Sequence, residues 1–295
     1  MPTVTIGIPT RNRADRLTRA VASALAQDQP VEVIVCDNAS TDATQALMEA
    51  TAGIRYIRHA ADLGAKANFQ SALDAATSEY FMWLADDDWL DPGYISACLE
   101  VLRDEVVLAA GDARYHWGSD LHHEFAAELT GAPWRRLLRY YRTVASNGTF
   151  YGVTRTDLRR NVVLLDTLAG DWLHVARLAA QGQIRRAKTT IHRERGGASD
   201  NSGPATMRSF VLPIMRAVYE DTRGQGFGRA LSGSCAVAVW WNWSASRRIR
   251  EIAVTASRRI LPQGTYRHLA SVRRSHDRRT VHDRSRHRCR ASDNG

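Results

Sequence analysis

The sequence predicts an α/β fold: a mostly parallel sheet flanked by helices, with a helical extension towards the C-terminus. Apolar runs of strand length recur at residues 4–8, 31–36, 54–58 and 80–84, and helix-patterned segments separate them. The runs lack polar alternation, as strands buried on both faces do. Strand and helix alternating through short connections is the pattern of a parallel sheet wrapped by helices.

Taken in order, the first strand is closed by Pro9, Thr10, Arg11, Asn12 and Arg13, and the next helix gathers Leu17, Val21, Ala24 and Leu25 on one face. The second strand ends at Asp37, Asn38, Ala39, Ser40, Thr41 and Asp42. Ser40 or Thr41 can cap the following helix and Asp42 complements its dipole, which leaves Asp37 without a capping duty. After the third strand, a helix holds Lys66, Asn68, Phe69, Leu73 and Ala76.

The fourth strand runs straight into Asp86, Asp87 and Asp88. Three adjacent carboxylates cannot all ionise cheaply unless a cation lies among them. Mg²⁺ or Mn²⁺, held by one or two carboxylates and a substrate phosphate, supplies that charge. Asp91, just before Pro92, caps the next helix and leaves the three unexplained. Carboxyl ends of parallel strands are where open α/β sheets bind ligands. Asp37, the acidic cluster and residues 10–13 therefore outline a nucleotide-sized cleft, with base or ribose at Asp37 and metal-bridged phosphates at Asp87.

Further on, Ile95, Cys98, Leu99 and Leu102 share a helix face, and residues 106–110 read as a strand. Residues 111–132 show no clear pattern. His122, His123 and Glu124 are adjacent there, point to alternate sides of an extended chain, and read as surface groups. Residues 133–144 are amphipathic, with Trp134, Leu137, Leu138 and Tyr141 together and arginines opposite. Asn147 begins a glycosylation sequon, irrelevant to a cytoplasmic chain. Gly170 and Asp171 open a helix in which Asp171 can serve as N-cap. Residues 184–186 and 189–192 read as a strand pair leading into Arg193, Arg195 and Ser199. Gly224, Gly226 and Gly228 follow a helix, so a dinucleotide fingerprint is rejected. The chain from Ala205 onward reads as helical, interrupted at Pro213.

Composition sets the outer limits. With 295 residues the chain can bury a sizeable core. Its net charge is +9, but residues 273–295 carry eight Arg against three Asp, so five of the nine excess charges lie in a tail expected to be disordered. Nucleic acid is therefore not an expected partner. The four cysteines are scattered without metal-ligand spacing, no signal peptide is visible, and the chain reads as cytoplasmic. Trp240, Trp241 and Trp243 precede a basic amphipathic stretch at 247–260, which reads as a packed appendage or as a membrane-surface helix. The expected organisation is a catalytic domain over 1–203, a helical extension over 204–272 and the tail.

Three segments carry a family resemblance: Val4 through Arg13, Val35 through Asp42, and Leu84 through Trp89. Together they resemble the family 2 glycosyltransferases, inverting enzymes of GT-A fold that use nucleotide-sugar donors and a divalent metal. The resemblance implies a UDP-, dTDP- or GDP-linked sugar as donor and a glycan or lipid-linked acceptor; the membrane-surface reading of the 247–260 stretch would add peripheral contact at the inner face of the cell membrane. It places Pro9, Thr10, Asn12, Arg13, Asp37, Asn38, Lys66, Asp86, Arg193 and Ser199 around the donor. Asp87, Asp88 and His192 become metal ligands, and Asp171 the catalytic base. Residues 147–153 correspond to a short strand lining the acceptor side. Ala39 stands where the family often has Gly, and Ala85 where it often has Asp, which leaves Asp87 as the ligand.

Two other classes stay open. A nucleotidyltransferase uses a similar acidic cluster but usually a Gly-rich loop after the first strand, and residues 9–13 contain no Gly. A non-catalytic nucleotide- or membrane-binding protein would not need Asp171.

Overall fold

The computed structural model describes residues 3–117, 120–145, 147–167, 169–194 and 211–243. β1 (Val4–Thr10), β2 (Val31–Asp37), β3 (Ile54–Arg58) and β4 (Tyr80–Trp83) pair in parallel in the order β3-β2-β1-β4, joined by α1 (Ala14–Leu25), α2 (Thr44–Glu49) and α3 (Ala65–Ala75). Every residue of β1 is buried, which is why its sequence does not alternate. Gly7 lets α3 close on the sheet: a Cβ there would lie 2.9 Å from Ala72 Cβ and from the Phe81 ring.

The second half contributes β5 (Asp88–Leu90), α4 (Tyr94–Val101), β6 (Val106–Trp117), β7 (Asp120–Glu124), α5 (Pro133–Thr143), a 3₁₀ turn (Gly148–Tyr151) and β8 (Val153–Arg155). α6 (Thr156–Arg160), α7 (Gly170–Gln181), β9 (Gln183–Glu194) and α8 (Leu212–Gly224) follow. β8 inserts antiparallel between β4 and β6, while β9 runs parallel to β6 and antiparallel to β5. In the nine-stranded sheet, β1–β4, β6 and β9 thus point one way and gather their carboxyl ends on one edge. α8 belongs to the same compact unit, Met1–Asn242, and its Asp221 pairs with Arg177 of α7 at 2.6 Å. Among the described residues no helix is long and apolar enough to cross a membrane.

Several elements correct the sequence reading. Residues 111–117 complete β6 and residues 120–124 form β7, an antiparallel pair whose second strand, among the described residues, pairs on one side only and so carries polar residues. β9 is one strand, its irregular middle absorbed by a register shift opposite Ala110 and Asp112. α4 starts at Tyr94 after Gly93 (φ 76°), so Asp91 is not its cap. In α5 Trp134 is 46% exposed, whereas Arg136 is buried and donates to Ala179 O (2.6 Å) and Ala180 O (3.2 Å) near the end of α7. A cation there matches the negative end of that helix. Pro213 sits in the first turn of α8, where its missing N–H has no partner to lose. The expected helix start at Ala205, the amphipathic stretch at 247–260 and the tail lie outside the described residues.

Candidate active site

The ends of β1, β2 and β4 frame a cleft of ≈ 560 Å³. Pro9, Thr10, Arg11 and Arg13 line it from β1, Asn38 from β2, and Ala85, Asp86 and Asp87 from β4. Asp62 and Gly64, then Ala65, Asn68 and Phe69 of α3, form another wall; Tyr151 and Arg193 close it from the second half of the sheet.

The three adjacent aspartates take three different roles. Asp86 Oδ2 accepts from Thr10 Oγ1 at 2.8 Å. Burial pushes its carboxyl up to about 6, against the Thr10 hydrogen bond. Asp87 faces Arg13 at 3.3 Å and Arg16 at 3.8 Å. Asp88 turns away from the cleft, is 1% exposed, and pairs with Arg193 Nε at 2.8 Å. The Arg193 guanidinium also lies 4.3 Å over the Tyr151 ring. Burial alone would lower its pKa, but Asp88, with Tyr151 and Tyr115, raises it, so the charge is permanent.

His192 does not reach this cleft. It neighbours Arg193 on β9, so its side chain takes the opposite face. Its Nε2 meets Asp91 Oδ1 and its Nδ1 meets His116 Nε2, each at 2.9 Å, and its ring stacks on Trp89. Both nitrogens of His192 are engaged there and the Asp88 carboxylate pairs with Arg193, so neither of these expected metal ligands lines the cleft beside Asp87. Among the described residues no group of three or more His, Cys, Asp or Glu could hold an ion. Asp86 and Asp87 both line the cleft, however, and two carboxylates completed by phosphate oxygens and water fit a hard divalent cation.

Asp37 is wholly buried and faces inward. It accepts from Ser40 N (2.9 Å), Ser40 Oγ and Tyr56 OH (2.6 Å), so it builds the loop and leaves the cleft wall to Asn38. Asn38 in turn donates to Asp62, which also pairs with Arg11 at 2.5 Å. Asn12 ties the first two loops together through Thr41 N (2.7 Å) and Ser40 Oγ (2.9 Å) and does not line the cleft. Lys66 is exposed and likewise outside it. Ser199 and Arg195 fall outside the described residues.

Asp171 lies in the first turn of α7, with Ala169 (φ 62°) in the cap position. Burial raises its carboxyl, opposed by a hydrogen bond from Asn147 Nδ2 at 2.9 Å and by the charge of Arg193. The ionised form that a helix N-terminus favours is thus outweighed by burial.

The sequence reading missed Asp62 and Asn68 as site residues, and it gave Asn147 and Tyr151 only as part of an acceptor-side strand over 147–153, most of which is a 3₁₀ turn ahead of β8. Asn68 joins the two main strand ends by donating to Thr10 O (3.2 Å) and Cys36 O (3.0 Å), while its buried Oδ1 has no partner among the described residues. For Asn68, an Asn facing two strand ends from a helix was the available signal.

The model of the family described as Glycosyl transferase family 2 matches residues 5–161, more than half of the chain. The chain belongs to that family. It is 34% identical over 264 residues to the succinoglycan biosynthesis protein ExoU of Rhizobium meliloti, covering 80% of this chain and 73% of ExoU. An uncharacterized protein of Mycobacterium tuberculosis is 28% identical over 222 residues, 68% of this chain; the match spans only 58% of the relative's length. Staphylococcus aureus TarS residues 1–349, solved in complex with UDP-GlcNAc, superposes with a TM-score of 0.63 at 19% identity, covering 81% of this chain and 71% of that one. The shared architecture is the GT-A fold.

Proposed function

We propose that the protein transfers a sugar, with inversion, from a nucleoside diphosphate to a hydroxyl group of a glycan or lipid-linked acceptor. The observation that carries this reading is one cleft at the strand ends holding Asp86, Asp87 and the permanently charged Arg193, with Asp171 near enough to feel that guanidinium. Asn38, Asp62 and Arg11 supply hydrogen-bonding groups for a base or ribose, and Arg193 supplies a cation for the diphosphate. Asp171 takes the proton of the acceptor hydroxyl as it attacks the anomeric carbon. Mg²⁺ or Mn²⁺ held by Asp86 and Asp87 would act as a Lewis acid on the departing diphosphate. The family, the UDP-GlcNAc bound to TarS and the role of ExoU in succinoglycan biosynthesis support a nucleotide-sugar donor and an envelope or exported polysaccharide product. A membrane-linked acceptor accords with work at the cytoplasmic face of a membrane.

The test is a thermal-shift series with UDP, dTDP and GDP, each with Mg²⁺, Mn²⁺ or chelator, then transfer assays with sugars on the stabilising nucleotide. One nucleotide should stabilise more strongly with metal, and Asp87→Ala should lose the metal-dependent part alone. No stabilisation by any nucleotide would remove the proposal.

A further inference from the structure

We infer that Asn147 is a positioning residue for Asp171, holding its carboxylate in one orientation and in the form that accepts a proton. The inference rests on Asp171 being the base. Asn147 is 2% exposed and uses both ends of its amide. Its Nδ2 donates to Asp171 Oδ2 at 2.9 Å, and its Oδ1 accepts from Tyr140 OH, also at 2.9 Å. With the hydroxyl donating to the oxygen, the NH₂ must face the carboxylate; the reversed amide would set two acceptors against each other. A hydrogen bond given to a carboxylate favours its ionised form.

The backbone makes the same selection. Asn147 sits at φ 54°, ψ 43°, a left-handed conformation that Asn tolerates better than most residues. Gly148 follows it, and a Cβ there would lie 2.6 Å from Ala113 Cβ, so this turn is seated hard against β6. Tyr140, 1% exposed on α5, cannot swing away from the amide. The same burial removes Asn147 as a glycosylation acceptor in the folded chain, although its sequon is intact.

The other titratable or charged groups facing Asp171 are Arg193 from β9, Tyr140 from α5 and Tyr151 from the 3₁₀ turn. Burial holds both phenols neutral, and Arg193 is committed to Asp88. Among the described residues, Asn147 is therefore the side chain that hydrogen-bonds to Asp171.

The experiment follows the Asp171 carboxyl carbon by ¹³C NMR titration of the full chain, assigned by its disappearance in Asp171→Asn. Asn147→Gly keeps the left-handed backbone and deletes the amide; Asp171 should then titrate about one pH unit higher than in the wild type. Asn147→Asp should raise it further and give two steps, because neighbouring carboxylates share a proton. Tyr140→Phe, which keeps the ring and frees the amide, should move it in the same direction by less, and reports even if Asn147→Gly fails to fold. The acid limb of turnover should move with each titration. An Asp171 titration unchanged in the folded variants, whatever their melting temperatures, would overturn the inference. Turnover retained by Asp171→Asn beside a shifted titration would instead remove the base and leave the hold of Asn147 on Asp171 standing.

Discussion

Asp88 and Arg193 stand directly opposite each other in the β5–β9 register and close a buried salt bridge of 2.8 Å. Among the described residues the second carboxylate oxygen of Asp88 has no partner, so the guanidinium is its compensation. Arg193→Met would strand a buried carboxylate and should cost about 3–5 kcal/mol, read from urea unfolding at pH 7.5. Asp88→Asn should cost less, because the Arg193 side chain it leaves without an anion is 18% exposed at the cleft and can still donate to the amide oxygen. An unchanged unfolding midpoint for Arg193→Met would show that Asp88 is protonated in the native state.

Asp37, which ends β2, and Asp62, in the loop between β3 and α3, should separate cleanly. Asp37→Ala leaves Ser40 and Tyr56 without their acceptor and should cost about 1–3 kcal/mol of stability, with little change in nucleotide affinity of the folded fraction. Asp62→Ala should weaken UMP and UDP together while the fold stays intact. Calorimetry with both nucleotides on both variants checks this. Direct loss of UMP binding by a fully folded Asp37→Ala would return Asp37 to the cleft.

The sheet was legible because buried parallel strands write unbroken apolar runs, and their polar ends name the edge where a ligand binds. What was not legible depends on pairing parity. Asp87 and Asp88 are equivalent in sequence; only the contact with Arg193, 105 residues away, turns Asp88 inward. A register shift opposite Ala110 and Asp112 fixes the course of β9, and alternation beyond it gives Arg193 to the cleft and His192 to the other face. Arg136 reads as a solvent-facing residue of an amphipathic helix until α7 presents carbonyls to it. Asn147 gives a sequon and a turn, and its partner lies 24 residues further on.

His174 makes the stability pH-dependent in a predictable sense. It is 1% exposed, packs edge-on to Trp83 and Phe150, and among the described residues neither ring nitrogen has a partner. Burial, with Arg159 and Arg177 nearby, holds its pKa well below 6.5, so the native imidazole stays neutral while the unfolded one takes a proton. Stability is therefore lost as pH falls below the ordinary histidine value, by about 1.4 kcal/mol per pH unit from this group. His174→Phe keeps an aromatic ring and should flatten that part of the curve in urea midpoints at pH 7.5, 6 and 5. Parallel losses in wild type and variant would mean that the native imidazole accepts the proton.

For Asp171, catalysis and stability should respond in opposite directions. Its carboxyl is raised by burial, so the native state binds a proton over a pH range where the unfolded chain has released it. The stability tied to this group is full below the ordinary carboxylate value and lost as pH rises through the raised one. Asp171→Asn keeps the shape, can still accept from Asn147, and carries no buried charge, so it should melt at or above the wild-type temperature at pH 7.5. A base works only when ionised, so wild-type transfer should fall as pH drops through the same raised value. The variant should lose transfer by roughly two to four orders of magnitude and show no such limb, with donor affinity unchanged. A capping residue would give the reverse: a lower melting temperature on substitution and near-normal turnover. More than about a tenth of wild-type turnover in a variant that binds donor normally would take Asp171 out of the mechanism.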